Sequence, residues 1–111
     1  KTIAAIDAAV RTIFDACIAN EATLIITADH GNIEQMIDPL TGIAETQHNQ
    51  SPVPCYIIGK EFVSVKSDDQ CHETETSSIG VLSDIAPTIL ELLNITKPTE
   101  MTGKSMLKEL Q

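Results

Sequence analysis

A carboxylate and an imidazole stand next to each other in this sequence, directly behind an apolar run. The pair is Asp29-His30, which follows Leu24-Ile25-Ile26, and a second histidine, His48, precedes Pro52-Val53-Pro54. Carboxylates and neutral imidazoles suit divalent transition metals such as Mn²⁺ and Zn²⁺. Because ligands gather outside the carboxyl ends of strands in open α/β sheets, the pattern is typical of a metal site.

The same residues also have a simpler interpretation. Asp29 could cap a helical turn that begins near Gly31, which would leave His30 on the surface. His48 taken alone is a histidine in a polar loop, where most histidines are solvated. Polar residues after a strand are the rule for any loop. Adjacency of Asp29 and His30 therefore leaves both a metal site and a helix cap open.

The other titratable residues predict no second site. His72 lies beside Cys71 in the most polar stretch of the chain, and both are interpreted as exposed. Cys17 and Cys55 are interpreted as core residues. Three cysteines without C-x-x-C spacing form neither a disulfide framework nor a zinc ribbon, and they fit a reducing cytoplasm. No nucleophile elbow, P-loop or dinucleotide fingerprint is present.

The elements that must position the Asp-His pair are a helix and a strand. Apolar residues at three- and four-residue steps predict an amphipathic helix over 3–19. Its predicted buried stripe consists of Ile3, Ile6, Val10, Ile13, Phe14 and Cys17. The continuously apolar segment 22–28 then predicts a short strand buried on both faces, as in a parallel sheet.

Turn residues, strand periodicity and helix caps predict seven further elements. They are a helical turn over 32–37, a turn or hairpin over 38–42, strands over 53–58 and 62–65, an exposed loop over 66–78, and helices over 83–93 and 104–110. Ser83 is the predicted N-cap of the helix over 83–93. Its predicted buried face consists of Ile85, Ile89, Leu92 and Leu93.

Composition limits the classes of function. The chain has 111 residues, 42% of them apolar, which is enough for one domain over 1–111 with an aliphatic core. Sixteen acidic against seven basic residues give a net charge of −9, which disfavours binding to nucleic acid. The apolar runs are too short to span a membrane, and no signal peptide is present. Because the sequence starts at Lys1 inside a helical pattern, we expect a fragment of a longer protein.

Four blocks, in this order, resemble the cofactor-independent (2,3-bisphosphoglycerate-independent) phosphoglycerate mutases of the alkaline phosphatase superfamily. The first contains Thr27-Ala28-Asp29-His30-Gly31-Asn32, and the second contains Thr46-Gln47-His48 and Ser51-Pro52-Val53-Pro54. The third is Leu82-Ser83-Asp84-Ile85-Ala86-Pro87-Thr88, and the fourth is Glu100-Met101-Thr102-Gly103-Lys104-Ser105. Related phosphopentomutases and phosphatases share the first block, whereas the fourth points to the mutase.

The resemblance implies an α/β fold, as part of an alkaline-phosphatase-like layered α/β/α domain with a mainly parallel sheet. It implies an enzyme that interconverts 3-phosphoglycerate and 2-phosphoglycerate through a phosphoserine at a site with two divalent metal ions, usually Mn²⁺. By this resemblance Asp29 and His30 bind the metal that also contacts the serine, and His48 binds the second metal. The family resemblance also implies a cytoplasmic, monomeric enzyme.

This sequence departs from the family in two respects. Asn49-Gln50-Ser51 replaces the usual Thr-Thr-Asn after the histidine of the second block. The family's nucleophilic serine, an early aspartate ligand and an Asp-x-x-x-His ligand pair precede the segment that this chain resembles. We therefore expect the 111 residues alone to be inactive. Two alternatives remain: a fragment of a phosphopentomutase or metal-dependent phosphatase, and a non-catalytic acidic interaction domain.

Overall fold

A computed structural model describes residues 1–45, 47–63 and 67–110, without the side chains of Cys71 and Glu75. The described residues form two compact units. The first contains residues 1–28 and 53–63, and the second contains 29–45, 47–52 and 67–110. Helices and strands occur in both halves of the sequence, so the fold class is α/β. None of the described helices is long and apolar enough to cross a membrane.

Helix α1, Thr2–Ala19, confirms the predicted first helix but not its predicted burial. No residue of α1 is buried, and the side chain of Ile3 is 73% exposed. On the polar face, Arg11 Nε lies 3.0 Å from Asp15 Oδ1, an i, i+4 pair of the kind that supports exposed helices weakly. Val10, Phe14 and Cys17 of the predicted stripe are half-buried, whereas Ile3, Ile6 and Ile13 are exposed.

Strands β1, Leu24–Thr27, and β2, Cys55–Ile58, form an antiparallel pair in the first unit. Both strands were predicted, and both are shorter than the predicted segments. β2 begins one residue after Pro54, which has no N–H to donate to a ladder. The parallel pairing expected for the first strand is not observed in this pair, and its apolar residues are half-buried rather than buried.

The loop between the strands is built from turns and two isolated bridges. The predicted hairpin is confirmed: Ile37 pairs with Ala44, and Asp38 Oδ1 accepts a 2.7 Å hydrogen bond from the N–H of Leu40. This side-chain bond imitates a backbone turn, which is why Asp favours such positions. The predicted helical turn over 32–37 is wrong, because this segment contains turn and bridge residues but no helix.

The segment predicted as an exposed loop over 66–78 contains helix α2, Asp68–Thr76, so the predicted loop is wrong. The predicted exposure is confirmed for the described side chains, and residue 66 lies outside the described part of the chain. A reciprocal capping box starts the helix: the Ser67 hydroxyl accepts from the N–H of Gln70, and the Gln70 side chain accepts from the N–H of Ser67. Asp68 and Asp69 lie in the first turn, where negative charge stabilises the helix dipole. The helix was missed because its sequence is polar, and its clearest sequence signal is the capping box at its start.

The predicted strand over 62–65 is wrong at Phe62, which ends a 3₁₀ helix, Lys60–Phe62. Its last two predicted residues, 64 and 65, lie outside the described part of the chain.

The predicted helix over 83–93 is present as α3, Ile85–Leu92, preceded by a 3₁₀ turn, Leu82–Asp84. Ser83 is not its N-cap, because the cap position is held by Asp84. The buried residues of α3 are Pro87 and Thr88, whereas the predicted face residue Leu93 is 61% exposed.

The last helix, α4, spans Leu107–Leu110 and is shorter than predicted, because residues 104–106 precede it without helical structure. Met106 is the buried hydrophobic residue of the described chain, at 5% exposure. The packed part of the second unit therefore lies where α3 meets the segment leading into α4.

Candidate metal centre

A two-residue bridge brings the two parts of the candidate site together. Gly31 and Asn49 pair in antiparallel fashion, with Gly31 N donating to Asn49 O at 3.2 Å and Asn49 N donating to Gly31 O at 2.9 Å. A Cβ atom at Gly31 would overlap the side-chain oxygen of Asn49 and crowd the side chains of Glu34 and Ser51. The glycine thus leaves room for the side chains of the second segment, which a larger residue would displace.

The bridge places the two histidines on one face. In antiparallel pairing of residue 31 with 49, position 30 lies opposite 50 and diagonal to 48, and diagonal neighbours share a face. The rings of His30 and His48 are stacked, with centroids 3.6 Å apart and planes inclined by 19°. His48 therefore lies directly beside His30.

The orientation of His30 leaves one ring nitrogen available. Its Nδ1 lies 3.0 Å from the carbonyl oxygen of Gly31, and a carbonyl oxygen can only accept. Nδ1 therefore carries the proton in this hydrogen bond, and Nε2 keeps a lone pair in the neutral ring. Nε2 lies 3.5 Å from Asp29 Oδ1. The Asp29 side chain is 89% exposed, so its carboxylate is accessible to an ion.

Glu34 adds a second carboxylate close to this pair. Its pKa is lowered, first because the carboxylate accepts hydrogen bonds from its own backbone N–H and from that of Asn32, and further because it attracts His30. The bond from Asn32 N to Glu34 Oε2 is 2.6 Å long. Sequence analysis assigned no role to Glu34, because a carboxylate without a defined spacing resembles any solvated acid.

No three His, Cys, Asp or Glu side chains converge on one point among the described residues. Asp29 and His30 are close together, whereas His48 lies against the face of the His30 ring rather than beside its nitrogen. His72 is exposed on α2, as predicted, and the side chain of Cys71 lies outside the description. Cys17 and Cys55 are half-buried and not paired in a disulfide.

The two C-terminal blocks of the sequence meet around Asp84. Asp84 Oδ1 accepts a 2.8 Å hydrogen bond from the N–H of Lys104, and Oδ2 accepts one of 3.0 Å from the N–H of Val81. These backbone donors, with the positive charge of Lys104, lower the pKa of the Asp84 carboxyl. A Cβ at Gly103 would overlap the carbonyl oxygen of Ser83, so the glycine allows the two segments to touch.

The family model described as the Metalloenzyme superfamily matches residues 1–97. The chain belongs to the metalloenzyme superfamily. This membership agrees with the α/β fold class and implies a dependence on divalent metal ions, although it does not identify the ion or the number bound. The sequence resemblance to this superfamily is thereby confirmed.

Named relatives narrow the comparison within the metalloenzyme superfamily. The chain is 41% identical over 109 residues to the 2,3-bisphosphoglycerate-independent phosphoglycerate mutase of Clostridioides difficile strain 630. It is 45% identical over 107 residues to the same enzyme of Pseudomonas putida KT2440, and 38% identical over 112 residues to that of Chloroflexus aggregans. These matches cover 96–98% of the chain but only 19–20% of each relative. The chain thus spans about a fifth of the length of these curated relatives.

Proposed function

We propose that this chain is the metal-binding C-terminal segment of a 2,3-bisphosphoglycerate-independent phosphoglycerate mutase, with Asp29, His30 and His48 as metal ligands. The observation that carries the proposal is the stacked histidine pair with a carboxylate at the exposed nitrogen of one ring. The named relatives supply the reaction: interconversion of 3-phosphoglycerate and 2-phosphoglycerate.

Distances favour one ion shared by Asp29 and His30. Asp29 Oδ1 lies 3.5 Å from His30 Nε2, so both atoms would be able to hold the same cation. The protonated Nδ1 of His30, held by the Gly31 carbonyl, fixes the ring so that Nε2 is the ligating atom.

The stacking favours a different ion for His48. An imidazole binds a metal in the plane of its ring, so two nearly parallel rings cannot both direct lone pairs at one ion. His30 would therefore hold one ion and His48 a second, neighbouring ion.

The donor set fits the proposed cofactor. Imidazole nitrogen with carboxylate oxygen suits Mn²⁺ or Zn²⁺, and the family resemblance favours two Mn²⁺ ions. When bound, such ions polarise phosphoryl oxygens and lower the pKa of a serine hydroxyl, so that the serine can take the phosphoryl group from one glycerate hydroxyl and return it to the other. That serine matches no residue of this chain.

The residues of this chain would orient the three proposed ligands and place negative charge near them. Glu34, whose lowered pKa keeps it ionised, lies near His30 and adds to the attraction for a cation. We further propose that β1 belongs to a mainly parallel sheet in a layered α/β/α domain, with β2 as an antiparallel neighbour. We also propose that the whole enzyme is cytoplasmic and monomeric.

A coupled assay tests the substrate. A protein that joins this segment to the remaining four-fifths of a mutase should convert 3-phosphoglycerate, and His48→Ala should lower that activity by at least about 100-fold. Preference for ribose 1-phosphate would assign the segment to a phosphopentomutase instead. The 111 residues alone should show no turnover with millimolar Mn²⁺, and measurable activity would refute their proposed dependence on an external serine.

A further inference from the structure

The side chain of Asn49 connects both segments of the candidate metal centre. Its Nδ2 donates to Asn32 O at 3.1 Å, and its Oδ1 accepts from Ser51 N at 3.0 Å. The Asn49 side chain also helps to lower the pKa of the Glu34 carboxyl. The backbone of the same residue forms both hydrogen bonds of the bridge to Gly31. One residue thus fastens the His48 segment to the His30 segment through main chain and side chain.

The backbone bridge alone defines the register of these segments poorly. Gly31 and Asn49 form an isolated bridge rather than a ladder. A shift by one residue would turn His48 to the opposite face, because side chains alternate along an extended segment. The bond from Asn49 Nδ2 to Asn32 O opposes such a shift, since it joins the bridged Asn49 to the residue that follows Gly31. The bond to Ser51 N fixes the direction in which the chain leaves the bridge.

We propose that Asn49 is a positioning residue that holds the His48 ring against the His30 ring. Its carboxamide suits this role because it donates to one segment and accepts from its own, which neither a carboxylate nor an aliphatic side chain can do. Glu34 supports the arrangement from the other side, because its carboxylate also accepts from Asn32 N. The inference rests on the proposed function only in treating the two histidines as metal ligands.

The first test measures ring stacking in the chain without added metal. Nuclear Overhauser effects between ring protons of His30 and His48, with upfield ring-current shifts, should be present in the native chain and absent in Asn49→Ala. The control is Asn20→Ala, which removes a 2.8 Å side-chain bond to Ala16 O on α1. It should leave the stacking signals unchanged, so a general loss of stability is distinguished from lost positioning.

A second readout is the affinity for Mn²⁺, followed by paramagnetic broadening of the same ring protons. Loss of a residue that orients a metal ligand lowers affinity by about 10- to 100-fold, and we expect about tenfold for Asn49→Ala. If Asn49→Ala fails to fold, Asn49→Asp replaces it. This variant keeps the acceptor for Ser51 but loses the donor to Asn32, and it should also lose the stacking signals.

The outcomes separate this inference from the proposed function. Intact stacking and unchanged affinity in the Asn49 variants, together with weakened binding in His48→Ala, would overturn the positioning role and leave the metal site standing. Unchanged Mn²⁺ binding in both His30→Ala and His48→Ala would overturn the metal site. In that case loss of stacking in Asn49→Ala would still support the positioning of the rings.

Discussion

The hydroxyl of Thr88 joins α3 to the segment before α4. Thr88 is 2% exposed; its Oγ1 donates to Asp84 O at 2.7 Å and accepts from Met106 N at 3.0 Å. Thr88→Val keeps the shape but leaves the N–H of Met106 buried without a partner. We expect the free energy of unfolding to fall by about 1–3 kcal/mol, measured by urea denaturation.

Two substitutions control this prediction. Thr88→Ser retains the hydroxyl and should retain most of the stability. Thr12→Val removes an exposed hydroxyl that donates to Ala8 O on α1, and it should change stability by less than about 0.5 kcal/mol. A Thr88→Val protein as stable as the native chain would show that water satisfies the Met106 N–H.

Single residues also show which parts of the site could be predicted. Asp29, His30 and His48 could be proposed as ligands because their side-chain types suit a metal and they lie in motif blocks. Glu34 and Asn49 were not, because their roles depend on which segment lies opposite them. Pairing of residue 31 with 49 is a long-range contact that carries no periodic signal in the sequence. Only the glycine at position 31 hinted at a close backbone approach.

At the scale of elements, helix α2 depends on its capping box. A nine-residue helix is marginal in isolation, so the start signal at Ser67 and Gln70 has a large influence. Ser67→Ala should destabilise the helix by about 1 kcal/mol, seen as smaller ¹³Cα secondary shifts over residues 68–76. Ser78→Ala, beyond the end of the helix, should leave those shifts unchanged. Equal shifts in both variants would mean that the cap does not stabilise α2.

The junction between α3 and the fourth block predicts a dependence on pH. The pKa of Asp84 is lowered by hydrogen bonds from Lys104 N and Val81 N. Its contribution to stability is complete above the unfolded-state pKa of about 3.9 and is lost as the pH falls through the lower folded-state pKa. The free energy of unfolding should therefore decrease below about pH 4.

Asp84→Asn tests this assignment. We expect the free energy of unfolding, measured by denaturation at several pH values, to fall less steeply below pH 4 in Asp84→Asn than in the native chain. Asp7→Asn, which removes the same charge from the surface of α1, is the matched control. If the free energy of unfolding of Asp84→Asn falls at acid pH as much as that of the native chain, the pH dependence belongs to other carboxylates. Asp38 and Glu34 are examples, because their pKa values are also lowered.

Elements with strong apolar periodicity or characteristic turn residues could be predicted. Features that depend on contacts with other segments of the chain could not. Helix α1 and both strands follow from apolar patterns. The N-cap of α3 was misplaced because Ser83 and Asp84 are adjacent and both are residue types that favour the N-cap position. The Asp84 side chain does not cap the helix, because it accepts hydrogen bonds from the N–H groups of Val81 and Lys104. Burial was overestimated for α1 because periodicity identifies an apolar face but not what covers it.

At the scale of the whole molecule, a chain that spans about a fifth of its curated relatives holds a stacked pair of histidines. Apolar side chains on α1, including Ile3 and Ile6, remain more than half exposed at 73% and 59%. The stacked histidines, by contrast, are joined by the bridge between Gly31 and Asn49 and by the bond from Asn49 to Asn32. We therefore expect metal binding to survive in the isolated chain even though catalysis does not.

The most direct test of this account is an electron paramagnetic resonance titration of the chain with Mn²⁺. The native chain should bind two ions weakly, in salt of about 0.15 M to suppress diffuse attraction to its negative charge. His30→Ala and His48→Ala should each remove one ion and leave the other, while the exposed His72→Ala should keep both. A native chain that binds only one ion, lost in both histidine variants, would contradict the proposed two-metal centre. Binding of two ions that neither substitution affects would contradict it as well.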